Sequence, residues 1–239
     1  MNDTAQLPLH GVRVLDLADG KVEMTGRIFA DLGADVFRVE PREGAATRTR
    51  EPMHSGASLY FEAHNANKRG LALDLTDAQD RDTLRGLVAE ADIFIESGRP
   101  GELAALGLGI DDLLEINPRL IAVSVSDFGQ TGPYRDWIGT NWTQMAIGSV
   151  LSRSGIPVRA PVQPPGELAM EAAAVQAAYT ALVAYYHRLN TGQGEYVDSS
   201  AFESPVQVMD PALGVGGSAT GGLSMLNLGR GRPDMAYLY

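Results

Sequence analysis

Residues 11–40 read GVRVLDLADG KVEMTGRIFA DLGADVFRVE, and this stretch decides the fold. Its start, residues 11–17, is rich in aliphatic and β-branched side chains and predicts a strand. Residues 24–32 predict a helix that Gly33 ends as a C-terminal cap, and residues 35–40 predict a second strand before Pro41. A strand, a helix and another strand in this order indicate a βαβ unit with parallel strands.

The same alternation continues to the middle of the chain. We predict further strands at 71–75, 92–96 and 120–126, and a helix over 77–90 with Thr76 as its N-cap. We predict that residues 42–67 are irregular. Strands and helices alternating at this spacing predict an α/β fold, a doubly wound parallel sheet, in which ligands bind at the carboxyl ends of the strands.

The second half of the chain is organised differently. Residues 168–190 lack Gly and Pro and predict a long, buried central helix, preceded by a proline-rich connector. A strand is expected over 195–201, a helix over 203–213 and a glycine-rich stretch over 214–222. We therefore expect a large domain over residues 1–200, while 201–239 form a helix and a linker.

The composition disfavours some classes of partner and indicates a cellular location. The formal net charge is −11, which disfavours a nucleic-acid partner. No apolar run approaches the ~20 residues of a membrane span, so no membrane partner is expected. The polar N-terminus has no basic start followed by an apolar run. Together with the absence of cysteine, it leads us to expect a cytoplasmic protein.

Familiar catalytic motifs are missing from the chain. It has no Walker loop, no Gly-x-Gly-x-x-Gly after the first strand and no Gly-x-Ser-x-Gly elbow. The four histidines lack metal-ligand spacing, so we expect no metal site.

Two features are candidates for a site. Glu167 is predicted in the first turn of the long helix, where the helix dipole stabilises a carboxylate that can act as a nucleophile. Glutamate is also favoured there without any catalytic role. Four arginines gather within a short segment and indicate either an anion site or a solvated loop: Arg38, Arg42, Arg48 and Arg50.

An ordered series of motifs resembles the family III CoA-transferases, the group of formyl-CoA-transferases and carnitine and bile-acid enzymes that includes 2-methylacyl-CoA racemases. Each motif is weak alone, but together they span nearly the whole chain. The matching segments are residues 11–17, 30–36, 39–41, 67–70, 73–75, 96–101, 117–120, 128–134 and 191–198.

The resemblance implies a Rossmann-like large domain and a mechanism in which an aspartate attacks an acyl thioester. The position of that aspartate is Glu167 here. Coenzyme A and acyl-CoA would be substrates, with carboxylic acids as donors and acceptors and no permanently bound cofactor. The residues expected to contact CoA are Arg38, Arg42, Leu73, Ser97, Gly98 and Arg99.

The resemblance also implies an interlocked homodimer. Relatives normally add a small second domain, so the resemblance implies a fragment, a natural short form, or one half of a split pair in which a second chain supplies that domain. Where the racemase pattern has a histidine, this chain has Thr140. CoA transfer is therefore the first hypothesis. The alternatives are an isomerase or epimerase acting α to the thioester, with Glu167 as base, and a non-catalytic or partner-dependent subunit that binds acyl-CoA.

Overall fold

The computed structural model describes residues 7–148, 150–154 and 160–209. The strands in these residues are β1 (Arg13–Leu17), β2 (Asp35–Glu40), β3 (Met53–His54), β4 (Ala57–Ser58), β5 (Arg69–Ala72), β6 (Ile93–Glu96), β7 (Ile121–Ser126) and β8 (Glu195–Ser200). The α-helices are α1 (Met24–Asp31), α2 (Leu59–Asn65), α3 (Ala78–Val88), α4 (Glu102–Ala105), α5 (Ile110–Ile116), α6 (Asn141–Ile147) and α7 (Leu168–Thr191).

Six strands form the main sheet in the order β5-β2-β1-β6-β7-β8. The pairs β5–β2, β2–β1, β1–β6 and β6–β7 are parallel. Counted along the chain within this sheet, the order is 3-2-1-4-5-6, which is the Rossmann order. The predicted fold class, a Rossmann-like doubly wound sheet with a long helix, is confirmed.

The core lies around the central strands. All six residues of β7 are buried, as are all four of β6. Phe94 and Leu84 are fully buried in one apolar cluster that joins the sheet to α3 and α5. Strands that are buried along their whole length fit a sheet covered on both faces, as the continuous apolar sequence of residues 120–126 predicts.

The chain divides into two compact units. The first unit contains Met1–Ser126 and Ala174–Ser199, and the second contains Asp127–Ala173 and Ser200–Tyr239. Helix α7 begins in the second unit and continues in the first. The predicted domain boundary at residue 200 stays a prediction. The glycine-rich stretch 214–222 lies outside the described residues. Of the predicted helix 203–213, residues 203–209 are described, and they are helical with a π-helical turn at Pro205–Met209.

The segment 42–67 is more regular than predicted. It contains a 3-10 turn at Ala46–Thr49, the hairpin of β3 and β4, and helix α2. Ser58 starts this helix, because its hydroxyl accepts a hydrogen bond from the Phe61 N–H at 3.1 Å. The prediction of an irregular segment is wrong because a short helix is stabilised by its cap and packing more than by its own sequence.

The bounds of β5 and the start of α3 also differ from the predictions. Strand β5 is Arg69–Ala72 and not residues 71–75, because it pairs with β2 from Phe37 to Glu40. Helix α3 begins one residue later than predicted, since Asp77 and not Thr76 is its N-cap. The Asp77 carboxylate accepts the Gln79 N–H at 2.7 Å.

Helix α7 is apolar on both faces. Its inner face is alanine-rich, with Ala173 and Ala177 fully buried. Its outer face exposes large apolar side chains: Val175, Tyr179, Val183, Tyr186 and Leu189. Within the described residues this is the helix with the length and hydropathy of a membrane span, but half of its most apolar window is buried in the protein.

Candidate active site

The strand order reverses between β1 and β6, and a reversal of this kind leaves a crevice outside the carboxyl ends of the two strands. Ligands bind at this point in open α/β sheets. Ser97 follows β6 directly, and its hydroxyl contacts the turn after β1. The Asp19 N–H donates to Ser97 Oγ at 2.9 Å, and the hydroxyl lies 3.3 Å from the Asp19 carbonyl oxygen. The predicted residue Ser97 is therefore at the expected edge of the sheet.

The next two residues of this loop bind carboxylates through their backbone. The Gly98 N–H donates to Glu96 Oε2 at 2.7 Å, and the Arg99 N–H donates to Glu102 Oε2 at 3.0 Å. A Cβ at Gly98 would lie 3.1 Å from Glu102 Oε2, so the loop passes close to both carboxylates. The side chain of Arg99 is exposed, which makes it the cationic group that this loop presents to solvent.

Two groups that hydrogen-bond Ser124 of β7 have shifted pKa values. Burial raises the pKa of Glu96, although hydrogen bonds from Ser124 and the Gly98 N–H act in the opposite direction. Burial also raises the pKa of Tyr196, which hydrogen-bonds the same serine. The low polarity around these groups therefore favours their neutral forms.

Arg38 is buried and already paired. Its Nη2 lies 2.7 Å from Glu23 Oε1 and 3.5 Å from Asp19 Oδ1, and Nη1 donates to the Ala18 carbonyl at 2.8 Å. Its exposed fraction is 2%. Contact between Arg38 and CoA stays a prediction. In the structure the terminal guanidinium nitrogens already bond Glu23 and the Ala18 carbonyl inside the protein.

The remaining predicted CoA contacts differ in accessibility. The side chain of Arg42 is 62% exposed and pairs with Asp80 at 2.8 Å. The pKa of Asp80 is lowered most by the hydrogen bond from the Asp74 N–H and next by the hydrogen bond from Arg42. Leu73 is 6% exposed and packs in the core, and its N–H donates to the Glu40 carbonyl at 2.9 Å. Of these two predicted contacts, Arg42 is the one whose side chain solvent can reach.

A buried ionic network lies at the same edge of the sheet, and the sequence reasoning missed it. Lys68 Nζ donates to Asp16 Oδ2 at 2.7 Å, to the Glu23 carbonyl at 2.6 Å and to Asn65 Oδ1 at 2.8 Å. Burial lowers the pKa of Lys68, while Asp16 opposes this shift. Both members of the pair belong to the motifs that carry the family resemblance, which is the signal that could have revealed them.

Glu167 belongs to the second unit. It follows Gly166, whose φ is +82°, and its carbonyl accepts the Glu171 N–H at 2.9 Å. Glu167 thus precedes α7 directly, because the helix begins at Leu168. The prediction that Glu167 lies in the first turn of this helix is wrong. The side chain that binds that turn is Asn141, which is 9% exposed and accepts the Ala169 N–H at 2.9 Å. The sequence reasoning did not assign a role to Asn141.

The turn before α6 holds Asn141 in place. Asp127 accepts the Gly139 N–H through its carboxylate at 2.8 Å and the Gln144 amide through its carbonyl at 2.9 Å. A Cβ at Gly139 would lie 2.2 Å from Gln144 Nε2, so a larger residue there would displace the Gln144 amide that bonds Asp127. The start of α7 is therefore positioned by a hydrogen-bonded turn within the same unit.

The structure distributes the predicted site residues over both units. The first unit contains the predicted CoA contacts Arg38, Arg42, Leu73, Ser97, Gly98 and Arg99, and Glu167 lies in the second unit. In the described part of the chain, no three His, Asp or Glu side chains are grouped as metal ligands.

A family model and individual relatives assign this chain to the same protein family. The family described as CoA-transferase family III matches residues 9–237. The beta subunit of succinyl-CoA–L-malate CoA-transferase from Chloroflexus aurantiacus is 36% identical over 219 residues, which are 89% of this chain and 54% of that protein. The acetyl-CoA:oxalate CoA-transferase of Acetobacter aceti is 33% identical over 234 residues, 96% of this chain and 59% of that protein.

Solved structures agree with the sequence comparison. A CAIB/BAIF family protein from Brucella suis superposes with a TM-score of 0.85 at 33% identity, covering 90% of this chain and 58% of that chain. The chain thus spans little more than half the length of these relatives.

Proposed function

The chain belongs to CoA-transferase family III, and we propose that it transfers coenzyme A between carboxylic acids, with Glu167 as the acyl acceptor. The observation that carries this proposal is the place of Glu167 immediately before α7, at a helix start that Asn141 caps. The positive end of the helix dipole stabilises a carboxylate at this position. A carboxylate is a competent nucleophile in covalent catalysis.

The proposed reaction is a series of acyl exchanges at Glu167. A carboxylate oxygen of Glu167 bonds to the thioester carbonyl carbon, the carbon–sulfur bond breaks, and a mixed anhydride and CoA thiolate form. The thiolate then attacks the Glu167 carbonyl carbon, the donor acid leaves as its carboxylate, and Glu167 is left as a CoA thioester. The acceptor carboxylate then attacks the Glu167–CoA thioester, which gives a second mixed anhydride and CoA thiolate. The thiolate attacks the carbonyl carbon of the acceptor, which leaves as its CoA thioester and returns Glu167 to its free carboxylate.

We propose that CoA lies along the crevice between β1 and β6. Its diphosphate and ribose phosphate need positive charge. The exposed guanidinium of Arg99 is at the crevice, and Arg42 stands after β2 with 62% of its side chain exposed. The Asp80 side chain is 13% exposed and also accepts the Asp74 N–H at 2.7 Å, so its carboxylate keeps a partner when Arg42 binds phosphate.

The substrate class follows from the reaction and from the relatives. The names of the two sequence relatives include succinyl-CoA, malate, acetyl-CoA and oxalate. We propose acyl-CoA thioesters and small carboxylic acids as substrates of this chain, with coenzyme A as the group that is transferred and no permanently bound cofactor.

A second candidate function is a subunit that needs a partner. One of the relatives reported above is named as a beta subunit. The outer face of α7 presents five large apolar side chains, and no charged residue occurs from Ala172 to Tyr186. An apolar helix face of this size is normally covered. We propose a homodimer, with a second chain supplying a small domain as the alternative.

The test of the proposed function is intact-protein mass spectrometry after incubation with succinyl-CoA or acetyl-CoA, followed by peptide mapping. We expect an acyl or CoA adduct on Glu167, none in Glu167→Gln, and an undiminished adduct in Glu171→Gln, a matched change four residues further into α7. Unchanged turnover in Glu167→Gln would remove this residue from the mechanism. A wild-type protein that binds CoA without any adduct would favour an isomerase or a partner-dependent subunit.

A further inference from the structure

Glu23 is a fully buried carboxylate with an unusual number of donors around it. It directly precedes α1 and is 0% exposed. Arg38 Nη2 lies 2.7 Å from Oε1, and Thr47 Oγ1 donates to the same oxygen at 2.8 Å. Asn65 Nδ2 donates to Oε2 at 2.9 Å, and the Gly20 N–H approaches Oε1 at 3.4 Å. These four groups form a cradle that fits a carboxylate.

The four donors come from separate parts of the chain. Gly20 belongs to the turn after β1, Arg38 to β2, Thr47 to the 3-10 turn and Asn65 to α2. One carboxylate therefore ties together the segments at the carboxyl ends of two neighbouring strands. Arg42 lies in the connection between two of these donors, so its position depends on how that connection is held.

The cradle depends on a negative charge. Arg38 is buried, and its Nε has no hydrogen-bond partner among the described residues. Its positive charge is balanced inside the protein mainly by Glu23, since Asp19 is farther away at 3.5 Å and half-exposed. Removing one partner of a buried ion pair leaves an uncompensated charge, which is strongly destabilising.

We propose that Glu23 acts as an internal anionic ligand. Its carboxylate occupies a carboxylate-binding cradle and thereby holds the turn after β1, the 3-10 turn and α2 in the arrangement that binds CoA. Glu23 is a positioning residue in this proposal, because its carboxylate does not contact substrate and instead holds the segments that do. The link to CoA rests on the proposed function, whereas the cradle itself does not.

The test removes the side chain and offers a free carboxylate in its place. Glu23→Gly suits this purpose because glycine is tolerated at a helix N-cap. We expect its Tm to fall by roughly 10 °C. Formate should restore at least about half of this loss with a saturable dose response. Chloride at equal ionic strength should restore little, because screening alone does not fill the cradle.

Two matched variants separate this site from a general effect of formate. In Glu23→Gln the amide still fills the cradle, so this variant should lose stability without responding to formate. Leu84→Ala leaves a cavity in the apolar core, where Leu84 is 0% exposed, and vacates no carboxylate, so it should not respond either. Equal responses of all three variants, or equal rescue by formate and chloride, would overturn the proposal.

The positioning role is measured separately by the affinity for CoA. We expect Glu23→Gly to bind CoA about tenfold more weakly than the wild type, with formate recovering most of this loss. Formate rescue of the Tm without any change in CoA affinity would retain the cradle and overturn the positioning role. A wild-type protein that does not bind CoA would instead contradict the proposed function, and the formate titration would still decide the cradle.

If Glu23→Gly does not fold in buffer, the same comparison is made during refolding. Recovery of folded protein in formate, but not in chloride, is the expected result. Failure to recover folded protein in either salt would overturn the proposal.

Discussion

Lys68 Nζ lies 2.7 Å from Asp16 Oδ2, and the two side chains are 1% and 0% exposed although 52 positions separate them in the chain. The pair depends on a residue without a side chain: a Cβ at Gly26 would lie 2.1 Å from Asp16 Oδ2. Helix α1 thus approaches the end of β1 at a glycine, and the charge of Asp16 is balanced from the segment before β5.

Breaking this pair should be costly. Lys68→Met leaves Asp16 as an unpaired buried charge, and we expect a loss of about 3–5 kcal/mol in the free energy of unfolding. The double variant Asp16→Asn with Lys68→Met removes both charges and should lose less than the single one. Urea unfolding of the three proteins measures this difference. A double variant no more stable than Lys68→Met would contradict an ionic origin of the loss.

Arg99→Ala should weaken CoA binding and leave the fold unchanged. Arg99 is exposed in the loop after β6, so truncation removes the proposed charge-assisted contact to phosphate without disturbing the core. We expect a Kd about tenfold higher by calorimetry, with an unchanged Tm.

The control for this prediction is Arg13→Ala. Arg13 begins β1 and therefore lies at the opposite, amino end of the strand, with 54% of its side chain exposed and Glu90 as its partner. The two substitutions remove equal charge. Equal effects on CoA affinity would mean that net charge, and not the crevice, is responsible.

Stability should depend on pH through Glu96. Burial raises the pKa of this carboxyl above its ordinary value of 4.5. The folded state therefore holds the proton more tightly than the unfolded state, and stability falls as the pH rises from about the ordinary value through the raised one. Glu96→Gln stays neutral, so it should be more stable than the wild type at pH 7 and lose that advantage in acid.

Urea unfolding between pH 4 and 8 tests this prediction. The matched control is Glu115→Gln, a change of the same type at an exposed position of α5. The advantage of Glu96→Gln should grow with pH while Glu115→Gln follows the wild type. An advantage that is the same at every pH would show that titration of Glu96 is not its cause.

The outer face of α7 should control assembly. Tyr186 is 69% exposed and is the last residue of the uncharged stretch 172–186. Tyr186→Glu places a charge there, which a buried interface excludes. We expect the proposed homodimer to dissociate in sedimentation velocity experiments, whereas Ile116→Glu, at a 37% exposed position of α5, should leave assembly unchanged. An oligomer that persists in Tyr186→Glu would move the interface elsewhere.

Local patterns were sufficient for most elements of this chain. The apolar runs of β1, β2, β6 and β7 and the helix without Gly or Pro at Leu168–Thr191 are visible within short windows, because side-chain periodicity reports which face is buried. The ordered motifs also identified the family. The predictions went wrong where neighbours decide: pairing with β2 set the bounds of β5, and a serine cap stabilised α2 within a polar segment.

The sequence by itself therefore determined the α/β class, the family and the candidate residues Glu167 and Ser97. Only the tertiary structure decided which charges are paired. Arg38 belongs to a cluster of arginines in the sequence, yet Glu23 neutralises it inside the protein. Asn141 has no local signature and caps α7 from 28 positions away. Such partners are chosen by long-range packing, because a buried polar group must find a partner wherever the fold brings one near.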